Sequence, residues 1–195
     1  MKKILLFSFI ALISTLSVHS QDNTVSKPIG FSKGDILVGG NIKYNSSVIS
    51  GVSGTPSTAM VGPSAAYFIH DNVAVEFGFA FGHDNLNKDT SSDFLVGARY
   101  YVLNLKNRFR TYTNFAWNFG SWEYANQKPT YSQLSAGVGV NYFFNSKVVF
   151  NLGIGNIISY NITKDSGNKT TSFDVNLNEF KNIFNQPTFG VAYRF

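Results

Sequence analysis

The sequence predicts an all-β chain closed into an antiparallel transmembrane β-barrel of about eight strands. Three observations predict it. Segment after segment alternates bulky apolar side chains with small or polar ones at period two, the repeat of a strand whose two faces meet different surroundings. The connections between these segments alternate short and long. The chain ends on one more alternating strand, Pro187 to Phe195, whose last residue is aromatic.

Asp35 to Asn45 opens the series, with Ile36, Val38, Ile42 and Tyr44 on one face and Asn41 and Lys43 on the other. Thr58 to Ile69 sets Val61, Ala65, Tyr67 and Ile69 against Gly62, Ser64 and Ala66. The clearest strand, Val73 to Gly82, sets Val73, Val75, Phe77, Phe79 and Phe81 against Ala74, Glu76, Gly78, Ala80 and Gly82. Phe94 to Val102 follows the same rule except at Leu95. Phe109 to Phe119, Leu134 to Tyr142 and Val148 to Gly155 repeat it, and Thr188 to Phe195 completes it. Short turns fall at His70–Asn72, Asn104–Asn107 and Asn145–Lys147. Long polar connections fall at Ser46–Ser57, His83–Ser92, Ser121–Thr130 and from Tyr160 to about Asn185. The last contains Phe173 to Asn178, which alternates like a strand reaching beyond the membrane, and Glu179 to Phe184, which fits a helical turn.

The ends and the composition narrow the class. Lys2 and Lys3, an apolar run from Ile4 to about Leu16 and the stretch Val18-His19-Ser20 form the pattern of a secretory signal, too short to span a bilayer as a helix. The expected organisation is therefore a signal peptide over 1–20, a lead-in over 21–33 and a barrel domain over 34–195. There is no Cys, hence no disulfide, lipid-attachment or thiolate metal site. Removing Lys2 and Lys3 from the 16 Lys and Arg leaves 14 against 11 Asp and Glu, a charge of +3. That is too little to argue for nucleic acid as a partner.

Alternation alone also fits a soluble barrel, so residue type decides. A soluble β-protein turns its bulky face inward and shows water a surface of Lys, Glu and Thr. Here the face opposite the bulky residues is Gly, Ala, Ser and Asn, and the strand charges Lys43, Glu76, Arg99, Arg110 and Arg194 all lie on it. An Arg or Lys facing hydrocarbon at mid-membrane costs about 2–4 kcal/mol, which accounts for that segregation. Aromatics gather at both strand ends: Tyr67, Tyr100, Tyr142, Tyr193 and Phe195 at one, Tyr44, Phe81, Trp117, Phe119 and Trp122 at the other. Two such girdles mark membrane interfaces. In hydrocarbon, closure is the way a sheet pairs every backbone N–H and C=O.

With KGDILVGGNIKY (Lys33 to Tyr44), SAAYFIHDNVAVEFGFAFG (Ser64 to Gly82) and TFGVAYRF (Thr188 to Phe195), the chain resembles the small Gram-negative outer-membrane β-barrel family, the porin-like group also called the outer membrane protein beta-barrel domain. The resemblance covers most of the mature chain and implies an outer-membrane location with both termini periplasmic. It implies outer-membrane lipids, lipopolysaccharide included, and the barrel assembly machinery as partners. Phe189, Val191, Tyr193 and Phe195 would form the C-terminal signal that this machinery reads. These motifs are architectural and nearly silent about activity.

The residues that could carry chemistry are few. Glu76 and Arg99 should be neighbours inside the barrel, with Arg110 and Arg194 inward near the same end, so that one carboxylate faces several guanidiniums. Either these charges plug the interior or they line a passage for anions; the narrow interior of an eight-stranded barrel favours the plug. His83 stands near Asp84, Asp89, Ser91, Ser92 and Asp93, but no spacing fixes a nucleophile beside a base or a metal-ligand geometry. No enzymatic activity, metal or cofactor is therefore expected. Lys164, Lys169 and Lys181 are candidates for lipopolysaccharide phosphates, and Trp122, Tyr124 and Tyr131 for a surface contact. The expected role is structural or surface-interacting, with a narrow channel for small solutes and a lipid A-modifying enzyme as alternatives.

Overall fold

The computed structural model describes residues 29–46, 57–84, 90–105, 108–123, 127–175 and 188–195. The segment read as a signal peptide and the stretch Glu179 to Phe184 lie outside the described residues, as do the side chains of Asp84, Asp89, Tyr124 and Lys181. Among the described residues nine strands follow in order: β1 Ile36–Ser46, β2 Ser57–His70, β3 Val73–Asp84, β4 Thr90–Leu105, β5 Phe109–Glu123, β6 Thr130–Phe143, β7 Val148–Asp165, β8 Asn168–Val175 and β9 Thr188–Arg194.

Each strand from β1 to β7 pairs antiparallel with the next. The last strand, β9, pairs with β1 over Leu37–Lys43 and with β7 over Val148–Gly153, which closes the ring. The outer half of β7, Ile158–Asp165, pairs instead with β8. β8 and β9 run in the same direction along one flank of β7 and occupy one position of the ring in succession, so nine strands make a barrel of eight positions. The alternation at Phe173 read from the sequence is the end of β8.

Packing inverts that of a soluble protein. The large apolar residues of the alternating faces point outward: Phe115 is 67% exposed, and Val61, Phe77, Phe81, Trp117, Leu134 and Val191 are exposed with it. The inward face carries small and polar residues, and its buried apolar cluster gathers at the short-turn end around Phe68, Tyr101, Phe143 and Val149. Close approach makes some glycines obligatory there. A Cβ at Gly139 would collide with the Tyr112 ring, and one at Gly97 would meet the Phe115 carbonyl and press to 3.2 Å from Glu76 Oε1.

The outer face is that of a wall immersed in hydrocarbon. Phe115→Arg is expected to lower folding stability by about 2–4 kcal/mol, whereas Asn114→Ser, one residue away on the inward face, should change it by less than about 1 kcal/mol. Urea titrations of folding into lipid vesicles measure both, and equal effects would contradict the assignment of faces.

Candidate functional site: the barrel interior

From the short-turn end inward, the interior is built in layers. At the mouth, Arg194 of β9 is almost completely buried, and its Nε donates to Asp35 Oδ2 at 2.8 Å. Its Nη1 donates to the Ser146 carbonyl at 3.2 Å, and its backbone N–H to the Lys147 carbonyl at 2.7 Å. Phe195 N–H reaches the Ile36 carbonyl at 2.9 Å. The side chain thus binds together the segment preceding β1, the β6–β7 turn and the closing strand.

Above it lies an aromatic plug. Phe31, preceding β1, turns back into the barrel and stacks on Phe68 at 4.3 Å between centroids, with Phe143 at 4.7 Å and Tyr101 at 4.8 Å. Gly30 and Gly34 flank it at φ values of 133° and 92°, backbone conformations that L side chains rarely adopt. Arg110 lies against Gly30, where its guanidinium occupies the space a Cβ would take.

The next layer is polar and tightly paired. Arg99 Nη2 sits 2.5 Å from Glu76 Oε2, and the guanidinium lies 4.7 Å from the centroid of the Tyr112 ring. The phenols anchor on amides: Tyr112 donates to Asn151 Oδ1 at 2.7 Å and Tyr101 to Asn141 Oδ1 at 3.1 Å. Glu76 registers with Gly97, which makes Arg99 its diagonal cross-strand neighbour. Beyond this layer a cavity of about 160 Å³ extends toward the long-loop end, with Lys43 and Asp93 on its lining. Tyr131 and Asp93 both crowd Gly120 there.

Lys43, Glu76, Arg99, Arg110 and Arg194 are spread over different levels of the interior and do not form one network. The sequence reading put Arg194 on a charged floor beside Glu76; the structure pairs Arg194 with Asp35 and Glu76 with Arg99. Register explains the difference. Arg194, Leu37, Ala66 and Glu76 follow one another across consecutive ladders, and in a sheared barrel such a line climbs along the axis instead of circling it. The plug separates the two pairs: Tyr101 succeeds Arg99 toward the turn end of β4, and Arg194 lies beyond Ala192, which packs on the plug cluster. Arg110 lies by Gly30, away from Glu76, and Lys43 lies in the upper cavity.

Phe31 and Asp35 were missed as functional residues. Their signal was an aromatic between two glycines and a carboxylate opening the strand that pairs with the arginine-bearing C-terminal one. Phe189 and Val191 face outward, and Tyr193 packs edge-on against Phe195 at 4.8 Å between centroids. His83 is exposed at the end of β3, in register with Thr90. Among the described residues no group of His, Cys, Asp and Glu is placed to hold a metal ion.

Fold and interior together define a small transmembrane barrel of eight positions, packed with side chains at its turn end and holding a cavity toward its loop end. Its sequence matches the family described as outer membrane protein beta-barrel domain over residues 8–195, and the chain belongs to that family. It is an outer-membrane barrel of the Gram-negative type. Among solved structures it is similar to the outer membrane protein OprG of Pseudomonas aeruginosa (17% identity, TM-score 0.54, 87% of this chain and 99% of that one). It is likewise similar to the Escherichia coli outer membrane protein W (16% identity, TM-score 0.51, 85% and 99%). The N-terminal β-barrel domain of Pseudomonas aeruginosa OprF follows at 13% identity and TM-score 0.50, with 84% and 98% covered. At these identities the likeness is one of fold. A search of the curated proteins finds no significant match.

Removing one partner of a buried ion pair strands the other, at a cost of about 3–5 kcal/mol. Arg194→Ala is therefore expected to lower the unfolding free energy of the vesicle-inserted protein, measured by urea titration, by that much, with a lower midpoint. Arg194→Leu combined with Asp35→Leu should recover most of the loss, and an unchanged midpoint in the single variant would remove the pair from the account of closure.

Proposed function

We propose that this chain serves the outer membrane as a non-conducting, non-enzymatic barrel with a structural or surface-interacting role. Both termini and the short turns lie in the periplasm, and the long loops lie outside. The observation that carries this reading is the Phe31 plug: three aromatic residues from three strands meet a fourth on the barrel axis, backed by the Glu76–Arg99 pair one layer above. An eight-stranded interior is only just wide enough for its own side chains, and here it is packed at the turn end.

Two partners follow from the same reading. Lys164 and Lys169 stand directly opposite each other across the β7–β8 ladder, both exposed. Like charges so placed repel unless an anion lies between them, and lipopolysaccharide phosphates supply one at that height, above the Tyr160 and Phe173 level of the wall. The outward row Phe189, Val191, Tyr193 and Phe195 offers the assembly machinery an apolar edge before β9 joins β1.

Planar bilayers containing the purified protein should show no discrete conductance steps, whereas Phe31→Ala combined with Arg99→Ala should produce them. Steps in the wild type would overturn the closed reading in favour of a narrow channel. Expression should leave the mass spectrum of lipid A unchanged; a new mass lost on His83→Ala would reinstate the enzyme.

A further inference from the structure

The aromatic girdle at the short-turn end is interrupted by two exposed cations held on one small piece of backbone. Arg108, in the β4–β5 turn, accepts the Phe143 N–H on its carbonyl at 2.8 Å, and its Nη1 donates to the Phe144 carbonyl at 3.3 Å. Lys147 ends the β6–β7 turn, which Phe144 N–H closes on the Val148 carbonyl at 3.0 Å, and its own carbonyl accepts from Arg194 N–H at 2.7 Å. Lys147 follows Phe144 by three residues, so their Cα atoms lie within about 11 Å of each other. Two turns and the closing strand are thus pinned together here. The Arg108 side chain lies on the β5 side of Phe144, and the Lys147 ammonium stands 5.8 Å from the Tyr193 ring centroid on the β9 side.

The surroundings select a ligand. Phe144 is exposed and lies edge-on to Phe150 at 6.1 Å between centroids, and Phe150 faces Tyr142 at 6.5 Å. These rings make an apolar slope down the wall, with both cations at its turn-side end. Neither cation has a carboxylate partner among the described residues. The sequence has no Asp or Glu from Asn104 to Tyr112, from Asn141 to Phe150 or from Val191 to Phe195, so Arg108 and Lys147, with Arg110 inside, outweigh the terminal carboxylate of Phe195. Arg108 has N–H groups beyond the one on Phe144, and Lys147 has three, enough donors for the free oxygens of a phosphodiester. A headgroup with its own ammonium would set a third cation against these two, so a net-negative headgroup fits best. We propose that Arg108 and Lys147 form a site for an anionic glycerophospholipid, its phosphate between the two side chains and its acyl chains along Phe144 and Phe150. The choice of phospholipid over lipopolysaccharide rests on the reading that the short turns are periplasmic; the preference for a net-negative headgroup does not.

Phosphatidylglycerol and phosphatidylcholine are the probes, titrated into the full chain folded in detergent micelles and counted on the protein by native mass spectrometry. Micelles have no sides, so the result does not depend on how the barrel is oriented in the cell. The expected result is one saturable phosphatidylglycerol, held about tenfold more tightly than phosphatidylcholine, the order expected of two basic residues acting on an anionic lipid. Arg108→Gln combined with Lys147→Gln should abolish that preference, and Lys147→Arg should keep it. Lys164→Gln combined with Lys169→Gln, at the opposite end of the barrel, should leave it intact. Heat-modifiable gel migration checks that each variant is folded; if the turn double variant fails that check, Lys147→Gln alone, expected to reduce the preference to about threefold, decides. Equal retention of the two lipids, or a preference that survives the turn variants, would overturn the proposal, as would its loss in the Lys164 and Lys169 variant. The orientation is tested separately by a membrane-impermeant thiol reagent on intact cells carrying Ser146→Cys, in a chain with no other Cys. No labelling is expected; labelling would overturn the periplasmic reading, and with it phospholipid as the source, while the micelle titration still decides the headgroup.

Discussion

Everything in this fold depends on closing the sheet, because hydrocarbon offers no partner to a free row of backbone N–H and C=O groups. The burden falls on β9. With seven residues it serves two ladders at once, completing β1 on one side and β7 on the other. Its register is held by a charge. Arg194 can reach Asp35 and the Ser146 carbonyl only if it points inward at the mouth. A slip of one residue would turn it toward lipid and bring its apolar neighbours inside. The buried ion pair is thus better understood as a selector of register than as a source of stability, a role for which such pairs are suited despite their desolvation cost.

Closure at eight positions also fixes how the interior can be filled. Glycine appears where a neighbour needs room, as at Gly139 beneath Tyr112 and Gly97 beside Glu76. The aromatic plug follows the same geometry in reverse. Phe68, Tyr101 and Phe143 come from different strands, and the segment before β1 brings Phe31 in between them. The chain reaches that position by bending at Gly30 and Gly34, where positive φ is available without strain.

Much of this was legible in the sequence because the wall obeys a local rule. Period two and the identity of each face located seven strands and the closing one, and the inward placement of Lys43, Glu76, Arg99, Arg110 and Arg194 followed from the energetics of lipid. Glu76 beside Arg99 was legible as well; the pairing of Arg194 with Asp35 was not. It depends on shear, which converts sequence register into height along the axis, and shear is a property of the closed ring that no strand shows by itself. Phe31 was hidden for a related reason: it lies on no strand, so no periodicity marks it. Only the end of β8, from Phe173, was visible as alternation, and its sharing of one ring position with β9 emerges only from the ladders that β7 makes.

The two ends of the interior differ in kind, although the wall departs from a regular ladder at both. At the turn end the ladders shift register beside the plug, between Phe68 and His70 of β2 and between Tyr101 and Leu103 of β4, and the buried Arg194 is matched within the protein by Asp35. Toward the loop end the β6–β7 ladder shifts register twice, at Ala136–Gly137 and Val138–Gly139, leaving Ile154 and Ile157 of β7 without partners on β6. Gly155, at φ 134°, lies between them. Bulges bend and twist the strand that carries them, and this one lies beside Ser135, Gly153 and Asn156, all on the cavity lining. β9 leaves β7 at Gly153, and β8 joins it at Ile158. The irregular stretch of wall thus flanks Ser135, at the side of the cavity that β6 and β7 form. The turn-side shifts flank a packed aromatic plug and the loop-side ones flank a polar cavity, so the same device bends the wall around two differently filled halves while the ring stays closed.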